Sequence, residues 1–330
     1  MKSTCLQGRE FPGFFAQSCR RLLGVFDLHC DTITECEVQR QELRENQLHL
    51  SLERGRGYTP WVQCFAVWIP DEMRGKAAVD WFERIYRRFQ EELRKNQDWM
   101  LACKSKQDLL QAEQEGKCAA ILTVEGGAVL AGDLSRVKVL ADCGVRMLTL
   151  TWNGSCELGD GAMVTDPKGL TEFGQAVIPE LERHDILLDV SHASEPLFYQ
   201  VAQRATRPFL ASHSNAKAIC DHPRNLTDQQ FRILKEQGGL VGLNFYPSFL
   251  THRSEAGLDD ILRHAEHFLS LGGEDVLALG SDFDGAAMPQ GMEGVQSLER
   301  LAERFAKSGY PNWLIEKIFY KNARNFLVSL

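Results

Sequence analysis

Eight short runs of β-forming residues recur along the chain, and most are apolar on both faces. They fall at 24–28 (GVFDL), 61–69 (WVQCFAVWI), 118–124 (CAAILTV), 146–151 (RMLTLT), 186–190 (ILLDV), 209–212 (FLAS), 240–244 (LVGLN) and 276–280 (VLALG). A one-sided antiparallel sheet would alternate apolar with polar positions, whereas runs apolar on both sides suit parallel strands covered by helices. Between them, residues 75–97, 133–142, 169–183, 195–204, 227–237 and 257–271 carry helical spacing, with Asp133 and Thr227 suited to N-capping. This βα alternation over roughly 250 residues predicts an α/β chain folded as a single (β/α)8 TIM barrel, closed by C-terminal helices in 296–330. A doubly wound open sheet is the other arrangement compatible with the pattern. No Pro/Gly/Ser-rich linker interrupts residues 24–330, so they are expected to form the barrel domain, preceded by an N-terminal extension, residues 1–23, that is either a helix or a flexible tail.

Charge and composition remove several functions. The 37 Lys and Arg against 45 Asp and Glu give a net charge of −8, without the basic excess that phosphate-backbone binding requires, so no nucleic-acid partner is expected. A membrane span needs ~20 consecutive apolar residues, and runs such as Cys118–Val124 are far shorter. The first residues lack the apolar stretch of a secretory signal. The ten cysteines in 330 residues include no C-x-x-C pair and are too sparse for a disulfide scaffold, which points to the cytoplasm. The mixed charges from Glu83 to Lys95 read as the solvated face of a helix.

The chemistry lies where ionisable residues meet the ends of the predicted strands. The first run continues into D-L-H-C-D-T, which sets His29 and Asp31 two positions apart, on one side of a regular strand. The third ends at Glu125, the fifth leads into V-S-H with His192, the sixth into A-S-H-S with His213, and the eighth into G-S-D-F-D-G with Asp282 and Asp284. Each alone has a bland explanation, such as a cap or a satisfied core histidine. Together they stand at the C-terminal ends of five strands, the face on which barrel active sites are built. Three imidazoles with carboxylates suit Zn²⁺. Five ligands exceed the need of one tetrahedral ion and fit two ions about 3.5–4 Å apart that share a carboxylate and activate a water, leaving Asp282 as general acid/base. Asp284 is expected to orient its loop, and His49, His184, His222, His252, His264 and His267 to be structural. No G-x-S-x-G, H-E-x-x-H, P-loop or G-x-G-x-x-G motif is present.

The motifs FDLHCDT, TVEGG, LTLTWN followed by LGDG, GLTEFGQAVIPEL, LLDVSHAS, ASHSNAKAICDHPRN and ALGSDFDG together resemble the membrane or renal dipeptidases and their soluble bacterial relatives, peptidase family M19. The resemblance spans about Phe26 to Leu327 and implies a metal-dependent, amidohydrolase-like barrel. It implies two zinc ions per chain: His29 and Asp31 on one, His192 and His213 on the other, with Glu125 and a water or hydroxide bridging both. It further implies Asp282 as acid/base, Arg224 as the holder of the substrate carboxylate, small dipeptide substrates and a homodimer. Where mammalian members place a histidine at the scissile carbonyl, this chain has Trp152, whose indole N–H donates but neither accepts nor titrates. A soluble, unanchored enzyme is expected. Two alternatives stay open: another amide or lactone hydrolase on the same metals, and a non-catalytic binding protein on the same fold.

Overall fold

All eight apolar runs form strands, and their ends differ from the sequence reading by two residues at most. In the computed structural model, which describes residues 23–329, they are β1 (Val25–Cys30), β2 (Trp61–Trp68), β3 (Cys118–Glu125), β4 (Val145–Thr149), β5 (Leu187–Asp189), β6 (Leu210–Ala211), β7 (Leu240–Leu243) and β8 (Leu277–Leu279). Residues 1–22 of the expected N-terminal extension lie outside the described residues. Each strand pairs in parallel with the next, and β8 pairs with β1 through Asp27 and Leu279, so the sheet closes into a ring. The open doubly wound sheet is therefore excluded.

Two apolar layers hold the ring. Phe26, Leu28, Val62, Cys64, Ala119, Ile121, Met147, Leu210, Leu240 and Ala278 form one buried cluster inside the barrel, plugged from below by Tyr320, Ala323 and Phe326 of the closing helices. The second layer lies between strands and helices and includes Phe65, Val124, Leu148, Val241 and Leu279. The helix Lys76–Lys95 turns Ala78, Phe82, Ile85 and Phe89 inward, as amphipathic spacing requires. Its charged face holds one exception, because Glu92 is fully buried, accepts from the Leu43 N–H and pairs with Arg88 at 2.8 Å.

Near the top of the barrel, backbones come closer than any side chain allows. A Cβ on Gly242 or Gly280 would lie 1.8 or 1.9 Å from the carbonyl oxygen of Ser212, so glycine is required at both positions for β6, β7 and β8 to converge.

Two elements differ from the sequence expectation. The helix expected at 133–142 begins at Arg136, because the Asp133 carboxylate instead accepts from the N–H and hydroxyl of Ser135, making a turn ahead of it. The strand Met100–Ala102 was not evident in the sequence; it pairs with Cys118–Ala120 of β3, beside the stretch of β3 where β4 has not yet begun to pair. Thr227 caps its helix as expected, in a capping box with Gln230.

His264, in the helix Leu258–Ser270, is fully buried, accepts from the Ala216 N–H at 3.0 Å and faces the Leu250 carbonyl at 3.0 Å. Burial lowers its pKa to about 4. An unfolded imidazole takes up its proton near pH 6.5, so between that pH and about 4 the unfolded chain binds more protons and stability falls as pH is lowered, by roughly 3 kcal/mol in all. Denaturant titrations across this window should show a shallower pH slope for His264→Gln than for the parent; equal slopes would rule out this contribution.

Candidate metal centre

The residues that end the strands converge above the apolar floor. β1 carries one extra residue against β2, since Asp27 pairs with Gln63 but Cys30 with Phe65, and such a bulge re-aims side chains at a strand end. His29 therefore reaches the centre from an irregular strand, and Asp31 follows it at the N-cap of the helix Thr32–Val38. Glu125 is the last residue of β3, His192 and His213 lie just beyond β5 and β6, and Asp282 lies just beyond β8. All six are buried.

Their polar atoms share one small space. Nε2 of His29 is 3.3 Å from Oδ2 of Asp31, 3.7 Å from Oε2 of Glu125 and 3.9 Å from Oδ1 of Asp282. On the other side, Oε1 of Glu125 is 2.8 Å from Nε2 of His192 and 3.3 Å from Nε2 of His213, and those two nitrogens are 3.0 Å apart. Glu125 thus turns one oxygen to each half of the cluster. Oδ1 of Asp31 has no hydrogen-bond partner, and a Cβ on Gly285 would stand 2.1 Å from Oδ2 of Asp31.

The electrostatics divide the cluster. Burial pushes His192 and His213 well below their ordinary pKa, reinforced by Arg224 and His29, so both imidazoles are neutral. Burial opposes a charge on His29 as well, but Glu125, Asp31 and Asp282 outweigh it and raise its pKa to about 10. Burial raises Glu125 and Asp282; His29 opposes the shift in both, and the Asp31 carboxylate adds to it in both, joined at Glu125 by Asp282. Buried neutral imidazoles facing each other and a carboxylate, with a further carboxylate oxygen unpartnered, fit a divalent cation of the zinc type. Two overlapping groups, His29–Glu125–His213 and His29–Asp31–Asp282, have the spacing to hold an ion.

Around the cluster, unusual backbone is pinned by hydrogen bonds. His192 and Asp282 have φ of 67° and 62°, a region that non-glycine residues seldom adopt. The His192 carbonyl accepts from Ala162 N–H at 2.7 Å, and Asp282 N–H donates to the His29 carbonyl at 3.2 Å. Asp284 stands apart from the cluster: its carboxylate accepts from the Thr32 hydroxyl and the His49 N–H, and its own N–H donates to the His49 ring at 3.0 Å. It orients the loop, as expected.

Arg224 is buried beside the cluster, lining a small cavity with His192 and Ser214. Burial lowers its pKa to about 10, with Glu125 and Asp282 opposing the shift, so it remains a cation at neutral pH. Its Nε and Nη2 have no hydrogen-bond partner, and its guanidinium lies 5.3 Å from the Phe249 ring. Trp152 sits at the rim, edge-on to Trp68 at 5.0 Å and 6.3 Å from the His192 ring. A cavity of about 460 Å³ lies at the opposite end of the barrel, lined by Lys104, Arg146, Leu187 and Arg207 among others; it offers no imidazole and none of the cluster residues.

Several polar residues not expected from the sequence complete the surroundings. Asn244 donates to Oδ2 of Asp282 at 3.0 Å, Asn153 Oδ1 lies 2.9 Å from Nδ1 of His192, and Asp27 and Asp189 are fully buried beneath the cluster. Asn244 closes the seventh predicted strand, so its signal was that of the ligands, in a residue that does not titrate. Asp189 was visible as a carboxylate inside an apolar run.

The profile of the membrane dipeptidase family, peptidase family M19, matches residues 15–327. The chain belongs to that family. By this membership it is a metallodipeptidase. It is 35% identical over 230 residues to an uncharacterised Klebsiella pneumoniae protein from the 5′ region of pqqA, covering 67% of this chain and 85% of that one. To rat Dipeptidase 3 it is 28% identical over 294 residues, 83% of this chain and 58% of the relative, and so spans little more than half of that protein's length. Among solved structures, a metallopeptidase from Rhodobacter sphaeroides liganded with a phosphinate mimic of the dipeptide L-Ala-D-Ala superposes with a TM-score of 0.86 at 28% identity, covering 92% of this chain and 98% of that one. M19 metallopeptidases are metal-dependent, in keeping with the donor set here. No helix among the described residues is long and apolar enough to cross a membrane.

Loading the cluster with a dication must expel the proton that His29 holds at neutral pH, and any held by Glu125, because the ion binds deprotonated ligands. Zinc binding to this M19 chain should therefore release protons at pH 7 and weaken as pH is lowered. Calorimetry in two buffers of unlike ionisation enthalpy measures the release; equal heats in both would contradict it.

Proposed function

We propose that this protein hydrolyses free dipeptides with two zinc ions in the buried cluster. His29 and Asp31 hold one ion, His192 and His213 the other, and Glu125 spans both. The observation that carries this reading is the split of the Glu125 carboxylate, Oε2 toward His29 and Oε1 toward His192 and His213. A zinc pair bound there supplies an activated water and polarises the peptide carbonyl.

The chain's own residues do the rest. The unpartnered Nε and Nη2 of Arg224 form the fork that a carboxylate accepts in bidentate fashion, so Arg224 takes the substrate's C-terminal carboxylate. Asp282 is oriented through Oδ2 by Asn244, and burial favours its protonated form. As acid/base it would take a proton from the activated water and deliver it to the leaving amine. Trp152, at the position where mammalian members have histidine, offers the carbonyl an N–H donor and no acid/base function, and with Trp68 it walls the mouth of the site. The relative that carries a phosphinate dipeptide mimic supports substrates of this size. We read the compartment as the cytoplasm on the sparse cysteines, and a homodimer on the family resemblance.

Asp282→Asn should retain two zinc ions per chain while kcat falls by about 10²–10⁴; turnover near the parent's would remove the acid/base role. Free dipeptides should exceed their C-terminal amides by about 10–100-fold in kcat/KM, and Arg224→Met should erase that preference by slowing only the free dipeptides. Amides cleaved as well as free dipeptides by the parent enzyme would favour a different amide or ester substrate.

A further inference from the structure

We propose that Asp189, acting through Ser212, is a positioning residue that keeps the proton of His213 on Nδ1 and so presents a bare Nε2 to the metal. This rests on reading His213 as a zinc ligand.

A count of protons around Asp189 assigns the tautomer. Asp189 is fully buried at the end of β5. Its Oδ1 accepts from the backbone N–H groups of Ser191 and Ser212, both at 2.9 Å, and its Oδ2 accepts from the hydroxyls of Thr149 at 2.6 Å and Ser212 at 2.5 Å. With donors converging on both oxygens, the group is an acceptor throughout. The single hydroxyl proton of Ser212 is thereby committed to Asp189, and its oxygen is left as an acceptor 2.7 Å from Nδ1 of His213. Nδ1 must then carry the ring proton, because two acceptors cannot face each other at that distance. Nε2 is left with its lone pair toward Glu125 and His192. The hydroxyl of Ser191, 3.2 Å from that of Ser212, accepts from the His213 N–H at 3.0 Å and holds the ring's backbone in place.

A purely scaffolding use of the same motif exists in the molecule for comparison. Asp27 accepts from the N–H of Ser281 at 2.8 Å and from its hydroxyl at 2.6 Å, yet that hydroxyl's other neighbours are the His29 carbonyl and the Phe283 N–H, and no ring. Only at Ser212 does the chain continue onto an imidazole. Nδ1 of His192 faces the Asn153 amide oxygen and no carboxylate relay among the described residues, and Nδ1 of His29 has no partner among them. A metal-bound histidine normally has its second nitrogen tied to a carboxylate or carbonyl, and losing that tie weakens metal binding about 10–100-fold.

Asp189→Asn reverses the relay while preserving shape. The amide oxygen must stay where the two backbone N–H groups point, so the NH2 faces Thr149 and Ser212. Ser212 becomes an acceptor from the amide and turns its proton on Nδ1, which drives the ring proton to Nε2, where zinc has to displace it. Ser212→Ala deletes the relay without imposing the wrong tautomer. Zinc affinity measured by chelator competition should fall about 10–100-fold for at least one ion in Asp189→Asn, and by less in Ser212→Ala. Melting of the metal-free proteins reports the scaffolding share of Asp189 and Ser212 separately from zinc affinity. Parental zinc affinity in either variant, or a larger loss in Ser212→Ala than in Asp189→Asn, overturns the proposal; if Asp189→Asn does not fold, the affinity of Ser212→Ala decides it alone. A parent protein that binds fewer than two zinc ions would count against the dipeptidase reading and not against the relay.

Discussion

Three carboxylates and three imidazoles occupy a space from which water is largely excluded, and the upper half of the barrel is organised around that concentration of charge. Burying an ionised group is unfavourable unless it is paired or bound to metal. Here the groups answer in different directions: two imidazoles stay neutral, one is held charged by its carboxylate neighbours, and Glu125 leans toward protonation. A dication resolves the conflict, because it favours ionised carboxylates and bare imidazoles together.

The backbone accepts distortion to deliver those groups. A bulge in β1, left-handed conformations at His192 and Asp282, and the close approach of the Ser212 carbonyl, just after β6, to Gly242 and Gly280 are each unfavourable locally. They persist because buried Asp–Ser pairs grip the chain next to them. Asp27 holds Ser281, one residue before Asp282, and Asp189 holds both Ser191 and Ser212, each one residue before a histidine. The polar layer beneath the metal centre thus does mechanical work that an apolar core, which has no directional contacts, could not do.

Much of this was legible in the sequence because it depends on periodicity and position. Runs apolar on both faces mark parallel strands, and ionisable residues at their C-terminal ends mark the working face, so the ring and His29, Glu125, His192, His213 and Asp282 followed together. What escaped depends on geometry that periodicity does not carry. The bulge in β1 cannot be read from VFDLHC. The strand Met100–Ala102 is too short to stand out from its surroundings, and Asp133 looked like a cap because its carboxylate can serve a turn as readily as a helix. Arg224 was visible only through family likeness, since a lone arginine in DHPRN otherwise reads as surface, and its burial is a property of the fold.

Ring closure also sets an order of events during synthesis. Glu125, His192 and His213 all lie within residues 125–213, so the residues of one half of the cluster are synthesised well before the other half is complete. That other half needs Asp282, which follows the last strand and whose N–H is anchored on the carbonyl of His29, in the first. The free edge of β1 can therefore be paired only after residue 279 has been made. Any sheet formed before that point has an exposed edge, the condition in which parallel β structure is most prone to mispairing and aggregation.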